Sequence, residues 1–197
     1  MGNMTDYLDF YTTNIISALS RVDTQKVEEA CDLIRSNLYA PVFVFGNGGS
    51  AAIAEHFTVD YNKGIWQDTK INTRAISLVS NVSLLTALAN DTNYAFVFSK
   101  QIDSYNPNGN GLAIAISSSG NSPNILNGLE AAKRNNIKSI ALVGFDGGNV
   151  KSNNLADVII HVKKYNYGIV EDTHMVILHS IIQKLRLEYS LVGEPKL

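Results

Sequence analysis

His56 and Asp60 stand four residues apart in a stretch with helical spacing, so their side chains lie one above the other on a single helix face. An imidazole and a carboxylate in that relation can act as an acid–base pair, can offer two ligands to a metal, or can simply hydrogen-bond and stiffen the helix. At about 100° per residue the pair lies beside the apolar stripe of Ile53 and Phe57 rather than opposite it, which sets it apart from an ordinary solvated face. Just ahead of the pair, the run VFVFGNGGS (42–50) passes from a strand-like pattern into Gly46, Asn47, Gly48, Gly49 and Ser50 before the helical spacing begins. Glycines let backbone approach a ligand, and a helix start offers unpaired N–H groups and a partial positive charge. A phosphate or carboxylate suits such a turn; so does plain turn chemistry with Ser50 as a cap. The GK[ST] of a P-loop is absent, and the G-x-G-x-x-G dinucleotide pattern fails at Ala51, so no nucleotide cofactor is expected.

A second junction of the same kind follows. In ISSSGNSPN (116–124), Ser117, Ser118, Ser119 and Ser122 surround Gly120 and Asn121, with Pro123 near a helix start. Several hydroxyls plus helix-terminal N–H groups can satisfy the oxygens of a phosphate without any lysine or arginine. Both junctions follow strands at their carboxyl ends, where open α/β sheets bind ligands. Together they point to a small phosphorylated ligand more strongly than either does alone. A third loop, GFDGGN (144–149), reads as a turn with no chemical role.

The elements that must hold these loops are legible in the apolar runs. Residues 41–46, 73–79, 111–117, 138–145 and 157–163 are short, rich in Val, Ile, Phe and Ala, and mostly too apolar for half-exposed strands. Helical spacing over 50–62, 94–104 and 122–136 separates them, which predicts a parallel sheet covered on both faces. Two amphipathic helices precede the sheet, broken near Asp23 and Thr24, and one helix over 169–189 closes the chain. PNGNG (107–111) reads as a surface turn. On the closing helix, His174 shares its spacing with Leu178, Ile181 and Leu185, at the edge of a core. His179 falls with Asp172, Gln183 and Arg186, a stripe that read alone is a solvated face.

Composition narrows the function classes. With 197 residues and 45% apolar content the chain is expected to form one domain. Its net charge of −2 is spread without a basic block, which argues against nucleic acid as a partner. Cys31 is the sole cysteine, so a Cys-based zinc site or disulfide framework is excluded within one chain, as suits a reducing cytoplasm. No run approaches the roughly 18 apolar residues of a membrane span, and a cytoplasmic protein without membrane attachment is expected.

Taken in order, GNGGSAAIAEHF (46–57), ALANDTNY (87–94), AISSSGNSPNI (115–125) and ALVGFDGG (141–148) resemble the sugar isomerase (SIS) fold family, and within it the phosphoheptose isomerase group. The resemblance covers nearly the whole chain. It implies a three-layer αβα flavodoxin-like fold with a five-stranded parallel sheet, a single SIS domain over 1–197, and N-terminal helices (1–40) that join the core of a homotetramer with sites at subunit interfaces. It implies conversion of sedoheptulose 7-phosphate to a heptose 7-phosphate for surface polysaccharide, with the phosphate held by the serines of the SSSGNS loop. Asn47, Ser50 and Asp91, with Asn90 beside it, would stand near the sugar, and Gly48 and Gly49 near the ligand. Asp60 and His179 would be the catalytic pair, His179 reaching across from another subunit.

The chain departs from the family pattern in the chemical half. Asp60 replaces a glutamate, Val170 stands where a glutamine able to bind metal and substrate is usual, and an aspartate is replaced near Tyr167. Some family members bind zinc; here His56, Asp60 and His179 remain as matching ligands, and Glu171 could serve as a fourth. These departures leave open a non-enzymatic SIS protein that binds a protein partner, as the bacterial replication-initiator-associating protein does, or an isomerase of another phosphosugar. A sugar-phosphate sensor is disfavoured, because no helix-turn-helix or basic DNA-binding segment accompanies the fold.

Overall fold

The computed structural model of the chain describes residues 2–105 and 108–191. Two helices lead, α1 (Met4–Leu19) and α2 (Thr24–Ser36), and Asp23 caps α2 by accepting from the N–H groups of Gln25 and Lys26. The sheet and its crossovers follow: β1 (Pro41–Gly46), α3 (Gly49–Val59), a π-helical segment (Asp60–Ile65), α4 (Trp66–Thr69) and β2 (Arg74–Ser77). Next come α5 (Val82–Asp91), a 3₁₀ turn (Tyr94–Phe96), α6 (Val97–Tyr105), β3 (Leu112–Ser117), α7 (Pro123–Arg134) and β4 (Lys138–Val143). The chain ends with α8 (Gly148–Ser152), β5 (Val158–His161) and α9 (Tyr167–Tyr189).

All strand pairs are parallel, in the order β2-β1-β3-β4-β5. This is the flavodoxin-like arrangement, and its strand order reverses between β1 and β3. Alternation along the strands sorts the core into two layers. Val42, Val44, Ile114, Ile116 and Leu142 face one way, onto α2, α3 and α9; Phe43, Phe45, Ala113, Ala115 and Val143 face the other, onto α6 and α7. On that second face Gly128 lets α7 lie close to the sheet, for a Cβ there would come 2.6 Å from the Phe45 ring. The three-layer αβα expectation is met.

Differences from the sequence reading are local. Helix α5 (Val82–Asp91) was not expected; none of its residues is fully buried. The helix expected over 50–62 changes to π geometry at Asp60. Pro107 of the expected surface turn lies outside the described residues; Asn108 and Gly109 adopt positive φ, and the Gly109 N–H bonds to the Asn135 carbonyl. Among the described residues no helix is long and apolar enough to cross a membrane.

Candidate active site

The loops after β1 and β3 meet because these strands are neighbours. Gly48 is the N-cap of α3 at φ 55°, a conformation that glycine adopts readily, and it brings no capping side chain. Ser50 is not the cap; it lies inside the first turn, 3% exposed. Ser122 is the N-cap of α7 with Pro123 next, and its hydroxyl makes no capping bond. Both helices therefore aim the positive end of their peptide dipoles at this space, but the open N–H groups are mainly those of α3, because Pro123 has none and the Ile125 N–H of α7 already donates to the Ser122 carbonyl and Asn124 Oδ1. Asn47, Gly48, Gly49 and Ser50 from one loop and Ser117, Ser118, Ser119 and Ser122 from the other line a cavity of about 280 Å³, closed from α9 by Tyr167 and Glu171. The Ser118 hydroxyl is buried without a hydrogen-bond partner, an orphan donor beside an anion-shaped space.

Two networks hold this cavity in shape. Asn47 and Asn124 exchange amide hydrogen bonds of 2.9 and 2.8 Å, and the Tyr94 hydroxyl donates to Asn47 Oδ1 at 3.1 Å. The second network comes from the GFDGGN loop, which therefore has a role that the sequence reading did not assign. The Gly144 N–H donates to the Ser118 carbonyl at 3.0 Å, that of Val150 to the Gly120 carbonyl at 3.0 Å, and that of Asn149 to Asn121 Oδ1 at 2.9 Å. A Cβ on Gly120 would sit 2.2 Å from the Gly147 carbonyl oxygen, and one on Gly148 would sit 2.3 Å from that of Ser119. The two loops interlock backbone to backbone, which only glycines permit. Paired glycines at the end of a third strand on the same sheet edge were the available signal.

The chemical groups lie further along α3. Asp60 Oδ2 stands 3.4 Å from His56 Nε2 and 3.2 Å from His179 Nε2, with the two rings edge to face at 4.9 Å. His179 meets Asp60 within one chain, a correction to the expectation that it arrives from another subunit. It does so because α9 packs along α3 and the π segment, with Glu171 beside Gly49 at one end and His179 beside Asp60 at the other. The three residues place one ligand atom each within 4.8 Å of one another. Tetrahedral zinc with bonds near 2.0–2.1 Å sets its ligand atoms about 3.3 Å apart, so the two distances from Asp60 to the histidines and the His–Asp–His donor set fit such an ion.

Val170 does not mark a lost ligand-facing position: it is fully buried in the core, and its neighbour Glu171 is the α9 side chain that lines the cavity. Glu171 stands over Gly49, where a Cβ would come 2.2 Å from its Oε2, and it is not among the three clustered ligands. Burial raises its carboxyl pKa above the usual range, helped by the charge of Asp172. Asp172 accepts from the Tyr11 hydroxyl of α1 at 2.9 Å. Asn90 and Asp91 are not brought to the cavity; both are exposed at the end of α5, where the Asn90 amide donates to Asp91. Their segment contributes Tyr94 instead. His174, expected at the edge of a core, is instead completely buried, and burial lowers its pKa to about 4.

The chain belongs to the SIS domain family: the family model described as SIS domain matches residues 6–144. Its relatives include a probable phosphoheptose isomerase of Thermoplasma acidophilum, 35% identical over 81% of this chain and 87% of the relative. A phosphoheptose isomerase of Geobacter sp. is 33% identical over 91% of this chain and 92% of its own. Among solved structures, the phosphoheptose isomerase of Neisseria gonorrhoeae superposes with a TM-score of 0.81 at 26% identity, over 93% of this chain and 98% of that one. The membership expected from the motif set is borne out.

Proposed function

We propose that the protein is an aldose–ketose isomerase that converts sedoheptulose 7-phosphate to glycero-manno-heptose 7-phosphate, the activity carried by its relatives' names. The observation that carries this reading is the spacing between the two halves of the site. From Gly49 at the anion cavity to His56 at the acid–base cluster, α3 rises about 10 Å, and an extended seven-carbon chain phosphorylated at one end spans a similar length. The phosphate would take the open N–H groups at the start of α3 and the hydroxyls of Ser117, Ser119 and Ser122 beside the start of α7. Gly48, Gly49 and Ser50 would line its approach, and Ser118 would offer its unpartnered hydroxyl. Carbons 1 and 2 would then lie at Asp60 and His179.

The reaction moves a proton from carbon 1 to carbon 2 through an enediol, while the ketose carbonyl oxygen gains a proton and the neighbouring hydroxyl loses one to become the aldehyde. Asp60 and His179 divide the tasks of base and acid, each within hydrogen-bond range of the other. His56, beside His179 and in contact with the same carboxylate oxygen, orients Asp60. A zinc ion held by His56, Asp60 and His179 would act as a Lewis acid toward the carbonyl. The pathway is heptose supply for surface polysaccharide, and the location is the cytoplasm. The assembly is a homotetramer, a reading supported by Tyr7, Leu8, Phe10 and Ile16, which α1 leaves exposed.

The alternative, a non-enzymatic protein that binds a partner, rested on Asp60 and Val170. It is weakened because Asp60 meets both histidines and Glu171 occupies the cavity wall that Val170 does not face. Incubation of the purified protein with sedoheptulose 7-phosphate, with and without zinc or a chelator, followed by NMR, tests the reading. Appearance of an aldose phosphate supports it; an unchanged ketose in every condition contradicts it.

A further inference from the structure

We propose that the π-helical segment Asp60–Ile65 is a positioning device for the Asp60 carboxylate, and that Asn62 and Thr73 are the residues that hold it. The inference rests on the reading of Asp60 as a catalytic group. Up to Asp60 the helix is regular: its N–H still donates to the His56 carbonyl. From there the turn widens, a rare geometry that occurs mostly as single turns near functional sites. A widened turn disturbs the ordinary backbone pairing, so stable examples need outside partners. Here one neighbouring stretch supplies a partner for the turn's backbone from Thr73 and an anchor for its Asn62 side chain from Ala75. The Thr73 hydroxyl donates to the Tyr61 carbonyl at 2.7 Å. Asn62 makes a two-point bond to Ala75: its Nδ2 donates to the Ala75 carbonyl at 2.9 Å and its Oδ1 accepts the Ala75 N–H at 2.7 Å.

Ala75 lies on β2, the edge strand, whose other side pairs with β1 through Val42. The Asn62 amide thus takes the place of a missing neighbouring strand and ties the turn to the sheet. Between these anchors Tyr61 is fully buried, stacked on Phe57 at 5.6 Å, with its hydroxyl donating to the Asn37 carbonyl. Successive residues therefore face the histidines, the core and the sheet edge. An aspartate reaches about 1.5 Å less far than a glutamate, and displacements of about 1 Å can cost roughly 100-fold in rate. A short carboxylate needs a backbone fixed from outside its own helix, and Asn62 is two residues away.

The test uses Asn62→Ala, the milder Asn62→Asp and Thr73→Val, each in the native background and in Asp60→Glu. Turnover of sedoheptulose 7-phosphate, thermal melting and crystal structures of the variants are measured. Asn62→Ala is expected to lower kcat by roughly 10–100-fold with KM nearly unchanged. The loss should be clearly smaller in the Asp60→Glu background, while the fall in melting temperature is the same in both. In the crystal, Asp60 should move out of reach of His179. Equal fold-losses in the two backgrounds, or a lower melting temperature with kcat unchanged, would overturn the inference and leave Asn62 with a structural role alone. Should the unmodified protein turn over no phosphosugar, the functional reading fails by itself. The crystal structures then decide the positioning claim: Asp60 unmoved in Asn62→Ala, or in Asn62→Asp and Thr73→Val if the alanine variant does not fold, refutes it.

Discussion

Asp60 Oδ2 lies 3.2 Å from His179 Nε2, a contact between the middle of the first sheet crossover and the middle of the last helix. It joins the two elements that also frame the anion cavity, Gly49 on α3 and Glu171 on α9. Holding a phosphate at one end of that helix pair fixes where the other end of the ligand falls.

Ser119 lines the cavity and its hydroxyl accepts the Asn121 N–H at 3.3 Å, a weak bond that a ligand can readily replace. Ser119→Ala is expected to raise KM several-fold with little change in kcat, because phosphate is held equally in ground and transition states. Steady-state kinetics with sedoheptulose 7-phosphate check this; a fall in kcat at constant KM would move the serine into the chemistry.

The interlock of the two glycine loops gives a contrast between neighbouring glycines. Gly120→Ala places a Cβ against the Gly147 carbonyl at a positive φ of 64°, and backbone cannot yield cheaply there. A loss of about 2–4 kcal/mol is expected in chemical denaturation. Gly49→Ala meets only the end of the Glu171 side chain. It should melt within a few degrees of the unmodified protein while binding substrate more weakly.

His174 sets a pH dependence of stability. Its ring is completely buried, with neither nitrogen in a hydrogen bond of normal geometry, although the Val143 backbone lies near enough to favour the charged form slightly. Burial outweighs that and holds the pKa near 4, below the unfolded value of about 6.5. The unfolded chain therefore binds a proton that the folded chain refuses as pH falls from about 6.5 to about 4. Stability is intact above that window and about 3 kcal/mol is lost across it. Urea unfolding of the protein and of His174→Gln between pH 7 and 4 should show a shallower acid decline in the variant; parallel declines would contradict the assignment.

The layers of the fold were legible because fully buried parallel strands announce themselves as short apolar runs, as in PVFVF and LAIAI. The anion cavity was legible because Gly48, Gly49 and the SSSGNS serines sit at strand ends, where local sequence dictates local backbone. The closing half of the site was harder. A helical wheel puts His179 with Asp172 and Arg186, and only packing decides that His179 turns to Asp60 while Asp172 meets Tyr11 and Arg186 meets Asp68. One residue of helix phase separates Val170 in the core from Glu171 in the cavity, a difference below the resolution of pattern matching. The π turn is invisible to any fixed period, since it depends on Asn62 finding Ala75 on another element.

The central claim is that Asp60 moves the proton, and solvent deuterium tests it most directly. In D₂O the unmodified protein should convert sedoheptulose 7-phosphate and place deuterium on the carbons that exchange the proton, while Asp60→Asn should bind the ketose yet lower both signals by about 100-fold or more. Deuterium uptake by Asp60→Asn at the rate of the unmodified protein would contradict the assignment.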